Sequence, residues 1–140
     1  MQRLLFLPFL VMKKSWSFSH RTKILAVDDE VGFTRLLQLA ASQFEIRTEN
    51  DPMRALDTAA EFHPDLILMD RYMPKMSGDS LARSFDEHPK LRHIPIAFVT
   101  ASAPRDDNGG FHTHLDGHPV LMKPVSIEQI EQCVRDCVKR

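Results

Sequence analysis

The feature that most constrains this sequence is the run Leu66-Ile67-Leu68-Met69, closed by Asp70. Four consecutive apolar residues, entered through Pro64-Asp65 and ended by a charge, fit a strand buried on both faces, as a central parallel strand is. Parallel neighbours cannot be joined by a hairpin. They need crossovers of a dozen or more residues, usually helical, so the run predicts amphipathic helices on either side of it.

The rest of the chain supplies that alternation. From Lys23 onward, short apolar runs and amphipathic stretches take turns, with no internal repeat or low-complexity tract. Strands are predicted at Ile24–Val27, near Glu45–Thr48, at Leu66–Met69, over Ile94–Val99 and at Val120–Met122. A helix is predicted from about Val31 to Ser42, with Phe33, Leu36, Leu37 and Ala40 at helical spacing. Asp51-Pro52 starts a second helix running to about Phe62, because Asp is a good N-cap and proline lacks only an N–H that the first helical position does not use. A third helix is expected near Asp79–Glu87, and Ser126 with Gln129 has the capping-box pattern for the last one. The prediction is an α/β fold: a doubly wound five-stranded parallel sheet with helices on both faces. Ligand sites in such sheets lie outside the carboxyl ends of the strands.

Composition narrows the partners. The 140 residues carry a formal net charge of -1, which gives no basic field for nucleic acid, and 43% hydrophobic residues suffice for one core. Cys133 and Cys137 are too few for a secreted disulfide framework, so a cytoplasmic setting is expected. They are read as buried helix thiols beside Ile127, Ile130 and Val134, in preference to a redox pair or half a metal site completed by His112 and His114. Residues 1–21 hold an apolar stretch, Leu4–Met12, broken by Pro8 and flanked by Arg3 and Lys13-Lys14. It is far shorter than the roughly 20 residues of a membrane span, and no small-residue cleavage site follows. The segment is read as an extension, disordered or upstream of a true start at Met12, before a domain over residues 22–140. An export signal or a membrane-surface segment is the alternative.

At the carboxyl ends of the predicted strands stand Asp28 and Asp29, then Asp70, Thr100 and Lys123. Singly, each is an ordinary loop residue. Together they form one acidic, hydroxyl and ammonium set on one edge of a sheet. Three converging carboxylates raise one another's pKa unless a cation neutralises them, and Mg²⁺, with its preference for oxygen ligands, is the natural one. A carboxylate can then attack phosphorus while metal, hydroxyl and ammonium neutralise the transferred group.

The segments that carry these residues resemble response-regulator receiver domains. Lys23 to Glu30 is similar to the family's opening strand and acid pair. Pro64 to Gly78 is similar to its phosphoacceptor segment, with Met73, Pro74 and Gly78 three, four and eight residues beyond Asp70. Ile94 to Ala101 and Lys123-Pro124 complete a match over about residues 22–138. The resemblance implies a flavodoxin-like fold with the strand order 2-1-3-4-5 and a phosphoacceptor at Asp70. It implies Mg²⁺ held by Asp29 and Asp70, by Asp28 through water, and by the Tyr72 backbone carbonyl. Thr100 and Lys123 would contact the phosphoryl group, and the Lys123-Pro124 bond would be cis, aiming Lys123 inward. The chain would then be a signalling regulator of a two-component phosphorelay, not an enzyme beyond its own phosphorylation and dephosphorylation. Its partners would be a sensor histidine kinase or histidine phosphotransfer protein and a downstream protein, with no nucleic acid and no membrane span. It would be a monomer or a weak phosphorylation-dependent dimer. The chain ends near the last helix, so no output domain is expected.

Two departures from the family stand out. The aromatic residue usual three positions before the lysine is Val120 here, and the region of the family's fourth helix, Pro104 to Gly110, is full of helix breakers. That helix is expected to be short or irregular, and Pro104–Pro119 to be the least stable part of the fold. His112, His114 and His118 in this stretch are read as solvated rather than metal-binding. Two rival functions remain. A degenerate receiver would bind proteins without phosphorylation. A phosphatase of the haloacid-dehalogenase type would use an aspartyl phosphate, but it wants a second Asp where Tyr72 stands.

Overall fold

The computed structural model describes residues 21–102, 108 and 113–139. The apolar stretch of the N-terminal extension, His112 and the breaker-rich segment apart from Asn108 lie outside them. In chain order the elements are β1 (Lys23–Val27), α1 (Val31–Ala40), β2 (Glu45–Glu49), a 3₁₀ turn (Pro52–Arg54) and α2 (Ala55–Phe62). Then come β3 (Leu66–Met69), α3 (Gly78–Glu87), β4 (Ile96–Thr100), β5 (His114–Leu115), β6 (His118–Met122) and α4 (Ile127–Cys137).

The sheet order is β2-β1-β3-β4-β6-β5. Its first five members are parallel and reproduce the expected 2-1-3-4-5 order. The sixth corrects the expected strand count. β5 pairs antiparallel with β6 through a hairpin whose two turn residues, Asp116 and Gly117, have φ of 50° and 83°. Two left-handed residues in succession give the turn whose twist suits a tight hairpin, and Asp-Gly is a favoured dipeptide for it. β6 accordingly begins at His118, two residues before the predicted start.

Side chains alternate between the two faces, and each face has its own core. Leu25, Val27, Ile67, Met69, Ile96 and Phe98 pack against Ala55 and Ala59 of α2 and Leu81, Ala82 and Phe85 of α3. Ile24, Ala26, Leu66, Leu68, Ala97 and Val99 pack against Leu37 of α1 and Ile130 and Cys133 of α4. All four residues of β3 are buried, as the apolar run requires.

The buried face of α1 differs from the predicted one. Thr34 and Leu37 are buried in the helix and Ala41 just beyond it, whereas Leu36 is 65% exposed and Ala40 faces solvent. At 100° per residue, positions 34, 37 and 41 form one stripe. Leu36 lies a full residue off it, and the polar Thr34 is admitted because its hydroxyl donates to the Val31 carbonyl at 3.1 Å.

The helix ends are capped as predicted. The Asp51 carboxylate accepts from Met53 N at 3.0 Å, although the first turn is 3₁₀ rather than α. Ser126 and Gln129 make both bonds of the capping box. Arg21, read as part of the extension, is tied into the fold: its guanidinium donates to the carbonyls of Ser42 at 2.6 Å and Phe44 at 2.7 Å. On α4, Cys133 is buried and Cys137 half-buried, their Sγ atoms 3.9 Å apart. Burial and the adjoining thiol push Cys133 up to about 12, which suits an inert core thiol.

Candidate functional site

Asp28, Asp70 and Lys123 come together where β1, β3 and β6 end. Asp70 N donates to Val27 O at 3.0 Å, and Asp28 N donates to Glu49 O at 3.1 Å, so the sheet ladder itself sets both acids in place. Asp28 is then held by its own turn, its Oδ1 accepting from Glu30 N at 2.9 Å. Asn50, which the sequence reading passed over, ties this loop to the one after β2. Its side-chain amide donates to Asp28 O at 2.7 Å and to Thr34 Oγ1 at 3.0 Å.

Lys123 reaches back across the sheet edge. Its ammonium lies 2.7 Å from Asp28 Oδ2, 2.8 Å from Glu30 Oε1 and 3.7 Å from Asp70 Oδ2. The Lys123-Pro124 bond is cis, as the resemblance implied. The Phe33 ring lies beside the same ammonium, 4.3 Å from Nζ to the ring centroid. Burial by itself would depress the lysine. Hydrogen bonds to Asp28 and Glu30, with the added charge of Asp70, outweigh it, so its pKa stands above the ordinary value. Asp28 is raised, chiefly by burial; the Lys123 and Glu30 hydrogen bonds act against that, and the charge of Asp70 adds to it.

Among the described residues, one group of three acids brings its oxygens within 4.8 Å of one another: Asp28, Glu30 and Asp70. Asp29, half-buried, is outside this close group, and Glu30 is in it through its contact with Lys123. Asp28 Oδ2 is buried and is met by the Lys123 ammonium at 2.7 Å. A buried carboxylate oxygen met only by positive charge, beside a second buried carboxylate, suits a hard divalent cation. Asp28 and Asp70 therefore fit Mg²⁺.

Thr100 ends β4, fully buried, with its carbonyl accepting from Lys123 N at 2.9 Å and its hydroxyl 3.4 Å from Ser102 N. Tyr72 follows Asp70 closely, its amide 3.4 Å from Asp70 Oδ1 and its side chain 60% exposed. The loop beyond is anchored by Arg71, whose guanidinium makes a two-point contact with Asp79 at 3.0 and 2.9 Å. Gly78 has a steric reason: a Cβ there would fall on the Asp70 carbonyl oxygen and lie 2.8 Å from Arg71 Cα.

Val120 stands opposite Phe98 in the ladder and packs into the core, so no aromatic ring rotates there. The ring contact comes from His118, on the same face two residues earlier. His118 meets Phe98 edge-on at 5.8 Å and pairs with Asp86 at 3.1 Å, its side chain only 16% exposed. This corrects the reading of His118 as a solvated loop residue: the hairpin makes it part of a strand. His114 is exposed, with Nδ1 3.1 Å from Thr113 Oγ1.

Comparison with known proteins agrees with this geometry. The family model of the response regulator receiver domain matches residues 24–135. The polar-differentiation response regulator DivK of Brucella ovis is 31% identical over 121 residues, covering 82% of this chain and 94% of DivK. Response regulator PleD of Caulobacter vibrioides is 41% identical over 87 residues, 61% of this chain but only 19% of PleD. The structure of the Vibrio cholerae chemotaxis protein CheY4 superposes with a TM-score of 0.70 at 21% identity, over 85% of this chain and all of that one, a likeness of fold.

Proposed function

This chain belongs to the response regulator receiver domain family of two-component signalling, and from that premise we propose that it is a Mg²⁺-dependent switch phosphorylated on Asp70. The observation that carries the reading is the convergence of buried Asp28, buried Asp70 and Lys123 at one sheet edge. Lone carboxylates at a strand end need no such ammonium. A nucleophilic one does, because the incoming phosphoryl group adds negative charge to a site already acidic.

In the proposed reaction an Asp70 carboxylate oxygen attacks the phosphorus of a phosphohistidine on a kinase or phosphotransfer protein. The new O–P bond forms as the N–P bond breaks, and the imidazole leaves with the electron pair and takes up a proton. Lys123 neutralises one phosphoryl oxygen and the Thr100 hydroxyl donates to another. Asp28, Asp29, Asp70 and the Tyr72 carbonyl are the groups that would hold Mg²⁺. When bound, the ion offsets the charge of the acids and of the transferred group.

This reading also orders the rivals. A haloacid-dehalogenase-type phosphatase lacks its second acid, since Tyr72 is exposed and carries no carboxylate. A phosphorylation-independent binding module would have no use for the buried acids. The functional partners, a histidine kinase or phosphotransfer protein and a downstream protein, follow from the same proposal, as does a cytoplasmic setting. Among the described residues, no helix is long and apolar enough to cross a membrane.

The test is phosphorylation of the full chain with phosphoramidate and Mg²⁺. Wild type should acquire one phosphoryl group that acid, base and hydroxylamine each release, as an acyl phosphate requires, and Asp70→Asn none. Labelling of Asp70→Asn at the wild-type level, or no labelling of wild type, would overturn the assignment.

A further inference from the structure

Lys123 has more partners than a phosphoacceptor site requires. Two of them, Glu30 and Phe33, lie at the start of α1, three residues apart, and so on one side of the helix. The Glu30 carboxylate is 2.8 Å from the ammonium, nearer than Asp70 at 3.7 Å. The Phe33 ring lies 4.3 Å from it, within cation–π range. We propose that Glu30 and Phe33 are positioning residues that form a resting seat for the Lys123 ammonium, in competition with a phosphoryl group on Asp70. This inference rests on the phosphoacceptor reading above and adds a step to it: Lys123 leaves one anionic partner to reach another.

The burial of the partners says which contact yields. Asp28 is 3% exposed and Lys123 11%, so their contact is sheltered, whereas the Glu30 side chain is 61% exposed and its ion pair is screened by water and salt. An exposed pair breaks readily when a stronger anion appears nearby. A phosphoryl group on Asp70, itself 8% exposed at the side chain, is such an anion in a sheltered place. Movement of Lys123 would then release Glu30 and uncover the Phe33 ring. Charge on Asp70 would thereby be reported at the first turn of α1, whose outer side carries exposed Val31.

The test uses the full chain with Mg²⁺ and beryllofluoride, followed by NMR of the lysine side-chain ¹³Cε signals. Glu30→Gln should raise beryllofluoride affinity by roughly three- to tenfold at low salt, and the gain should shrink as salt is added. The resting Lys123 ¹³Cε signal should move toward its beryllofluoride-bound position. Phe33→Leu changes no charge and should still raise affinity about twofold, since the ring is one side of the seat. Mg²⁺ affinity without beryllofluoride should stay within about twofold of wild type in Phe33→Leu. Three outcomes would overturn the proposal. One is wild-type beryllofluoride affinity in both variants. Another is a gain in Glu30→Gln alone, which would be plain charge repulsion. The third is a several-fold loss of Mg²⁺ affinity in Glu30→Gln, which would make Glu30 a metal ligand. If wild type took up neither Mg²⁺ nor beryllofluoride, the phosphoacceptor reading itself would fail, a result distinct from these.

Discussion

Substituting Gly78 by alanine tests how tightly the end of β3 is joined to α3. The first residue of α3 passes so close to the Asp70 peptide that an added Cβ would meet the Asp70 carbonyl oxygen, Arg71 Cα at 2.8 Å and the Asp70 carbonyl carbon at 2.9 Å. All three are backbone atoms, so no rotamer change can make room. Gly78 N also donates to Arg71 O at 2.7 Å, which holds the two segments together while the methyl pushes them apart. Overpacking of this kind costs about 1–3 kcal/mol, and a clash with backbone belongs at the upper end. Alanine recovers up to about 1 kcal/mol over glycine in a helix interior, and less in the first turn. The net expectation is a loss of about 2 kcal/mol, or roughly 6–10 °C in Tm for a domain of this size. Gly32→Ala in the first turn of α1 is the internal control, because its Cβ would meet nothing within 4 Å, and it should stabilise by up to about 0.5 kcal/mol. Thermal unfolding followed by circular dichroism reads both. A Gly78→Ala protein as stable as wild type would refute the close approach and the steric account of this glycine.

Asp28 supplies a pH dependence with a definite sign. Its folded pKa is raised, mainly by burial, above the ordinary 3.8, so its contribution to stability is fully present below that value and is lost as pH rises through the folded value. Without divalent cation, Asp28→Asn should therefore be more stable than wild type at neutral pH, with the gap closing toward about pH 4. Urea titrations across this range would expose a constant or inverted gap, which would contradict the raised value. Ser126→Ala removes one bond of the capping box, the 3.1 Å contact from Gln129 N, and frees its reciprocal partner. A loss of about 1 kcal/mol is expected, with faster amide exchange in the first turn of α4; unchanged exchange there would show that packing alone fixes the helix start.

The sequence by itself determined the parallel sheet and the chemical types at its edge, while its strand order came with the family resemblance. A both-faces-buried run such as Leu66–Met69 has few other homes, and the period of the flanking stretches leaves only helices to cover it. Asp28, Asp70, Thr100 and Lys123 were legible for the same reason: each directly follows or ends an apolar run, and strand ends in such sheets share one edge. The β5–β6 hairpin was legible in part, since Asp116-Gly117 is a hairpin dipeptide, but two-residue strands carry too little alternation to be seen. What only the tertiary structure decided is which groups actually meet. Thr34 rather than Leu36 is buried on α1, because rotation of a helix is set by the sheet it lies on. Glu30, Phe33 and Asn50 enter the site from exposed or half-buried positions that look ordinary along the chain. Glu30 and Lys123 are 93 residues apart, and a distance of 2.8 Å between them exists only once the sheet brings β1 and β6 to the same edge.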